Sequence, residues 1–260
     1  MLRKLAVVLL LAGCAAPTPE ATPEAPAGFT LSGTDCREVV VAVPADLAAV
    51  QALLPEGYVA SDAGVVLGIP VASGQALFLA ANMDCAEGNL TVGGATSRAL
   101  FHLGEFVIVV EPPEGAPEGG SLYAYEFKLV HSDDAVGDAF AGIGWNVTSG
   151  VVARQSERAP VGGPVVFDQV WTTDEETYRG RGTYDPASAA PAGTKTYIYH
   201  GPLAEARVVT FEGEFALARP SSGTFEASAG SMLATLAGER GAAGVLYVAA
   251  PAVTVRSLSP

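Results

Sequence analysis

Basic residues are scarce in this chain: 14 Lys+Arg face 28 Asp+Glu, a formal net charge of −14. So acidic a surface repels phosphate backbones and anionic headgroups, which excludes nucleic-acid binding. Lysine is rarest, present only as Lys4, Lys128 and Lys195, so chemistry that needs an amine has few places to occur. The histidines, His102, His131 and His200, are scattered along the chain. Neither His nor Cys stands near the cysteines to complete a tetrahedral set, so no metal and no cofactor is expected. No serine has glycine at both offsets of a Gly-x-Ser-x-Gly elbow. Equally absent are His-Glu-x-x-His for zinc, Gly-x-x-x-x-Gly-Lys-Ser/Thr for phosphate and Gly-x-Gly-x-x-Gly for a dinucleotide. No apolar run reaches the roughly 20 residues of a membrane-spanning helix.

The N-terminus, by contrast, is highly ordered in composition. Arg3 and Lys4 precede the apolar run Leu5–Leu11, followed by the small residues Ala12 and Gly13, in the order of an export signal. Leu11-Ala12-Gly13-Cys14 resembles the lipobox of bacterial lipoproteins, in which cleavage before the cysteine exposes it for acylation. The resemblance implies a signal peptide over residues 1–13, a fatty acyl group such as palmitate on Cys14, and a lipid anchor on the extracytoplasmic side of a bacterial membrane. Loss of Arg3 and Lys4 leaves 12 Lys+Arg against 28 Asp+Glu, a mature net charge of −16. Residues 14–28, CAAPTPEATPEAPAG, mix Pro, Ala, Thr and Glu without apolar periodicity and read as a spacer. At about 3.1 Å per residue it reaches roughly 40 Å from the lipid.

With Cys14 acylated, Cys36 and Cys85 remain as an even pair in an oxidising compartment, and a disulfide is expected. Residues 29–260 alternate in short β-like runs, from Arg37–Val43 through Val65–Val71 to Gly244–Val255, separated by Gly, Pro and Asp signals. Three stretches read as short helices: Pro44–Leu54 with Pro at the first helical position, Asp133–Ile143 and Ala229–Leu236. The expected fold is mainly β (α+β): one domain, an antiparallel β barrel or paired sheets with about three short helices.

The candidate chemistry centres on Leu122–Val130, LYAYEFKLV, in which Glu126 and Lys128 share one face and Tyr123, Tyr125, Phe127 and Leu129 the other. Facing a barrel interior, Lys128 would have its pKa depressed beside a carboxylate and could form a Schiff base; facing water, the two would be a solvated pair. His131 opens the polar run His131-Ser132-Asp133-Asp134, which also serves as a strand end and helix cap. Glu212 and Glu214, alternating with Phe211 and Phe215, fit either a carboxylate pair or the wet face of a strand.

Two longer stretches carry a second resemblance. VAVPADLAAVQALLPEGYVA, Val41–Ala60, and EFKLVHSDDAVGDAFAGIGWN, Glu126–Asn146, are similar in layout to segments of acetoacetate decarboxylase-like proteins. The resemblance implies a mostly antiparallel barrel with helices around it. In those enzymes a Schiff-base lysine follows the glycine-rich exit, activated by a neighbouring cation. Here that place reads Gly144-Trp145-Asn146-Val147-Thr148, with no lysine. The function expected is therefore a non-catalytic, envelope-anchored domain that binds a small apolar or carboxylate-bearing molecule or docks a partner protein. The alternative is an acetoacetate decarboxylase-like enzyme acting on a small keto acid through a buried lysine.

Overall fold

A computed structural model describes residues 28–62, 64–158, 163–201 and 208–258; Cys14 and its signal lie outside them. In chain order the elements are β1 (Phe29–Asp46), α1 (Leu47–Leu53), β2 (Val65–Val66), β3 (Ile69–Pro70), β4 (Gln75–Asp84), β5 (Glu87–Val92), β6 (Ala95–Arg98), β7 (His102–Val109) and β8 (Leu122–His131). There follow α2 (Asp134–Ala141), β9 (Val147–Ser149), β10 (Val151–Arg158), β11 (Val165–Thr172), β12 (Thr177–Tyr184), β13 (Ala190–His200), β14 (Val209–Leu217), β15 (Ser221–Ala227), α3 (Met232–Ala237) and β16 (Arg240–Ser257). None of the described helices is long and apolar enough to cross a membrane.

The expected β-rich fold class is what forms. One large sheet runs through all strands but β2 and β3, and β1 pairs with both β4 and β16. That double pairing closes β16, β14, β13, β8, β7, β4 and β1 into a ring. Ring neighbours are antiparallel except β8 and β13, which run parallel, as do β8 and β9. From β16 the sheet continues through β15, β12, β11 and β10 and folds back over the ring's outer face. Gly180 of β12 lies so close to Val41 of β1 that a Cβ there would meet Val41 Cγ2 at 2.5 Å.

This arrangement makes two cores. Alternate strand residues point inward and outward, so Val40, Leu79, Leu103, Val107 and Phe211 fill the ring. Val41, Phe78, Phe106, Phe167, Trp171 and Tyr178 fill the space between ring and outer layer. Val39–Val43 is buried on both faces for this reason, and reads in sequence as an unbroken apolar run. The buried Trp171 indole donates to the Ala81 carbonyl at 3.2 Å, satisfying its one polar atom.

Both ends of the ring are covered. At one end Phe140 of α2 packs on Phe29 and Trp145, ring centroids 4.7 and 5.1 Å apart. The Asp133 side chain caps α2 by accepting from the Ala135 and Val136 amides. At the other end sits the β2–β3 hairpin, where sequence had implied one strand over Val65–Val71. Its turn residues, Leu67 and Gly68, have φ of +50° and +78°, as the tight primed hairpin turns require. The Cys36–Cys85 disulfide joins β1 to the residue after β4.

Three local features depart from the sequence reading. Pro44 pairs with Leu77 as the end of β1, and α1 starts only at Leu47, because Asp46 supplies the cap by accepting from Ala49 N at 2.8 Å. β5 and β6 are short, with few buried side chains, so their apolar pattern is weak. β15, SSGTFEA, is rich in small and polar residues because its glycine lies against the Arg181 backbone and Val245.

Candidate functional site

The sequence candidates do not converge. Opposite β7, strand β8 carries one extra residue: Phe106 pairs with Lys128 and Val107 with Glu126, leaving Phe127 without a partner. A bulge of this kind slips the inward–outward alternation by one. Glu126 consequently lies inside the ring, completely buried, while Lys128 points outward to Glu175 and Glu176 at 3.5 and 3.4 Å. His131 is buried at the far end of β8, under α2, where a Cβ on Gly137 would run into its imidazole. Its Nδ1 has no hydrogen-bond partner among the described residues. His102 contacts Ser132 Oγ through Nδ1 at 3.3 Å, and His200 stacks edge-on to Tyr58 at 5.6 Å, its pKa lowered by burial. Glu212 pairs with Arg256 at 3.4 Å and Glu214 is exposed, so that pair belongs to a wet face.

What the ring does bring together is a set of acids that the sequence reading passed over. Glu38 on β1 and Glu105 on β7 join Glu126 inside, beside Tyr197 and Tyr199 of β13. Burial pushes the Glu38 carboxyl up to about 7. Glu105 is raised well above the carboxylate range by burial and by the charge of Glu38. The Tyr199 hydroxyl approaches closely enough to offset part of this, yet neither Glu105 oxygen has a hydrogen bond of ordinary geometry. Glu126 is likewise raised, by burial and by Glu105, against the opposing pull of the Phe106 amide, which donates to Oε1 at 3.1 Å. The phenols of Tyr197 and Tyr199 are pushed up by burial and by these carboxyls. Burial and mutual repulsion thus favour the protonated form of all three acids. Free space in the interior is small: the cavity lined by Glu38, Leu79, Val107, Tyr197 and Tyr199 offers about 10 Å³, room for one water.

The larger space lies just outside. A concavity of about 560 Å³ at the hairpin-covered end is lined by Leu67, Ser121, Lys195, Tyr197, Leu217 and Arg219. Leu67 and Tyr197 line both this mouth and the inner cavity, and so form the partition between them. Among the described residues neither Lys195 nor Arg219 has an ion-pair partner, in a chain where acids outnumber bases two to one. Two cations without an ion-pair partner among the described residues thus stand over an apolar floor. A comparable hollow of about 590 Å³ beside the disulfide has Arg37 outnumbered by Asp35 and Asp84, and lacks that bias.

Glu105 could have been noticed as the one carboxylate within the apolar run HLGEFVIVV, and Glu38 as the acid that, next to Arg37, opens the apolar run of CREVVVAV, both at positions sharing parity with inward residues. Nothing in the sequence pairs Arg219 with Lys195.

The chain is similar in structure to an acetoacetate decarboxylase-like enzyme from Sphingomonas wittichii RW1, with 14% identity, a TM-score of 0.49, and 94% of this chain and 95% of that one covered. It is also similar to the enduracididine biosynthesis enzyme MppR complexed with pyruvate, at 17% identity and TM-score 0.47, covering 92% of each. A third likeness is to acetoacetate decarboxylase from Legionella pneumophila, at 10% identity and TM-score 0.43, covering 95% and 93%. No protein-family model and no curated protein matches the sequence. At such identities and scores the likeness assigns no chemistry, and the reading below rests on the residues themselves.

Proposed function

We propose that this is an envelope-anchored lipoprotein whose ring mouth binds a small carboxylate-bearing molecule without transforming it. The observation that carries the reading is the pair of cations Lys195 and Arg219, without an ion-pair partner among the described residues, set around the apolar Leu67, Tyr197 and Leu217. Coulomb attraction draws the carboxylate, and the aliphatic and aromatic lining takes the body. The rival keto-acid enzyme needs an amine in a buried pocket. Lys128 is outside, ion-paired to two glutamates, and Lys195 stops at the mouth, so the mature chain has no lysine in the ring interior.

Calorimetry of the full chain with hexanoate tests this reading. Binding is expected, weakened at least tenfold by Lys195→Met and less by the more exposed Arg219→Ala. Hexanoate binding that ignores both substitutions would overturn it. Borohydride with acetoacetate is expected to leave no adduct; a trapped adduct on Lys128 or Lys195 would install the enzyme in its place.

A further inference from the structure

Of the three acids in the ring, Glu38 is the one placed to act on the mouth. Glu105 and Glu126 are sealed at 0% exposure, whereas Glu38 keeps 5% and is the only acid among the residues lining the inner cavity. The groups facing it are few. Its partners across the β1 ladders are Met83 of β4 and Val248 of β16. Glu105 of β7 feels its charge, Glu126 of β8 interacts in turn with Glu105, and β13 contributes the phenols of Tyr197 and Tyr199. None of these groups carries a positive charge, so an ionised Glu38 depends on water.

Water has almost no room there. The free space of about 10 Å³ admits one molecule, while a carboxylate has about four acceptor positions to fill. Ionisation therefore requires the cavity to widen. Most of its walls cannot give: Val40, Leu79, Val107, Leu122, Tyr199 and Val248 stand on ring strands, each hydrogen-bonded to a neighbour on either side. Leu67 is the exception. It belongs to the β2–β3 hairpin, which lies outside that sheet and is held together by two residue pairs. Its φ of +50° is a left-handed conformation that a residue with a side chain adopts only against strain. Leu67 also lines the mouth, so the compliant wall of the cavity is shared with the carboxylate site.

We propose that Glu38 is a proton-controlled latch on the mouth: protonated, it leaves Leu67 seated and the mouth formed; ionised, it draws in water, unseats Leu67 and weakens the hold on a carboxylate. The ligand half of this assignment rests on the mouth reading above; the latch itself stands on the shared wall. Both effects of ionisation run the same way, since the new negative charge also repels a bound carboxylate. Burial places the Glu38 titration near about 7. A ligand that needs the protonated form takes up a proton on binding and loses about tenfold in affinity from pH 6 to pH 8. An ordinary carboxylic acid titrates near about 4, so a free carboxylate ligand keeps its charge throughout that interval.

Hexanoate is titrated into the full chain by calorimetry at pH 6, 7 and 8, in buffers of different ionisation heat. Hydrogen exchange of residues 64–71, closed by the Val71 amide on the Gly64 carbonyl at 3.0 Å, is followed over the same range and corrected for the intrinsic pH dependence of exchange. The expected result is the tenfold loss, uptake approaching one proton per hexanoate at pH 8, and hairpin exchange that quickens across the same interval. Glu38→Gln, which keeps the shape and cannot ionise, is expected to hold the pH 6 affinity and the slow exchange at pH 8. Glu105→Gln, outside the cavity lining, is expected to keep the step. Undiminished affinity at pH 8 with unchanged hairpin exchange overturns the latch and leaves the mouth reading standing. A step that survives Glu38→Gln overturns the latch as well. Hairpin exchange that steps in the parent and not in Glu38→Gln, with no hexanoate bound at any pH, supports the latch and overturns the mouth reading.

Discussion

At the scale of single residues, the ring's acids set a pH dependence opposite to that of most folded proteins. A carboxyl whose folded pKa is raised binds more protons folded than unfolded between its two pKa values. Its stabilising effect is complete below the unfolded value, near 4.5, and is lost as pH rises through the folded value, about 7 for Glu38. Glu105 and Glu126 act in the same direction. Asp168, lowered by its bidentate partner Arg179 and by Arg181, acts oppositely, but it is partly exposed and its effect is small. Thermal melting is expected higher at pH 5.5 than at pH 8, Glu38 alone contributing on the order of 2 kcal/mol over that interval. Glu105→Gln is expected to flatten that slope and raise stability at pH 8; a melting temperature that climbs steadily from pH 5.5 to 8 would contradict the buried cluster.

At the scale of elements, the sequence was readable where one periodicity held and misleading where it slipped. β12, Thr177–Tyr184, stands where its alternation put it, and α2 starts where Asp133 caps it. Glu126 and Lys128 seemed to share a face because strands are read with period two; the unpaired Phe127 parts them, and a bulge has no composition signal in LYAYEFKLV. The acids of β1 and β7 could be seen only separately, since their meeting depends on β4 pairing with both strands. α2 offers a test of its seat on β8. Gly137→Ala gains up to about 1 kcal/mol of helix propensity but drives a methyl into the His131 ring, so a net loss of roughly 1–2 kcal/mol is expected. The double variant with His131→Ala is expected to be less than additive in denaturant melts. For the Cys36–Cys85 bond, reduction is expected to cost about 4 kcal/mol, given its separation of 49 residues. Mass mapping that finds both thiols free in exported protein would contradict the pairing.

At the scale of the whole molecule, the proposed anchor is tested at Cys14. Cys14→Ala is expected to leave an unprocessed precursor that takes up no labelled palmitate; equal uptake in variant and parent would end the lipoprotein reading. The geometry of the ring gives the anchor a direction. The chain enters the fold at Phe29, whose ring lies on Phe140 of α2, just beyond the His131 end of β8. The mouth, by contrast, is lined by Ser121, at the start of the same strand, ten residues or roughly 33 Å away. Under the proposed anchor, a leash joined at the α2 end would leave Lys195 and Arg219 on the end of the ring away from the attachment, open to the aqueous compartment. A molecule reaching them would arrive from solution, so the fold would sample the fluid around the envelope and take nothing from the leaflet that holds it.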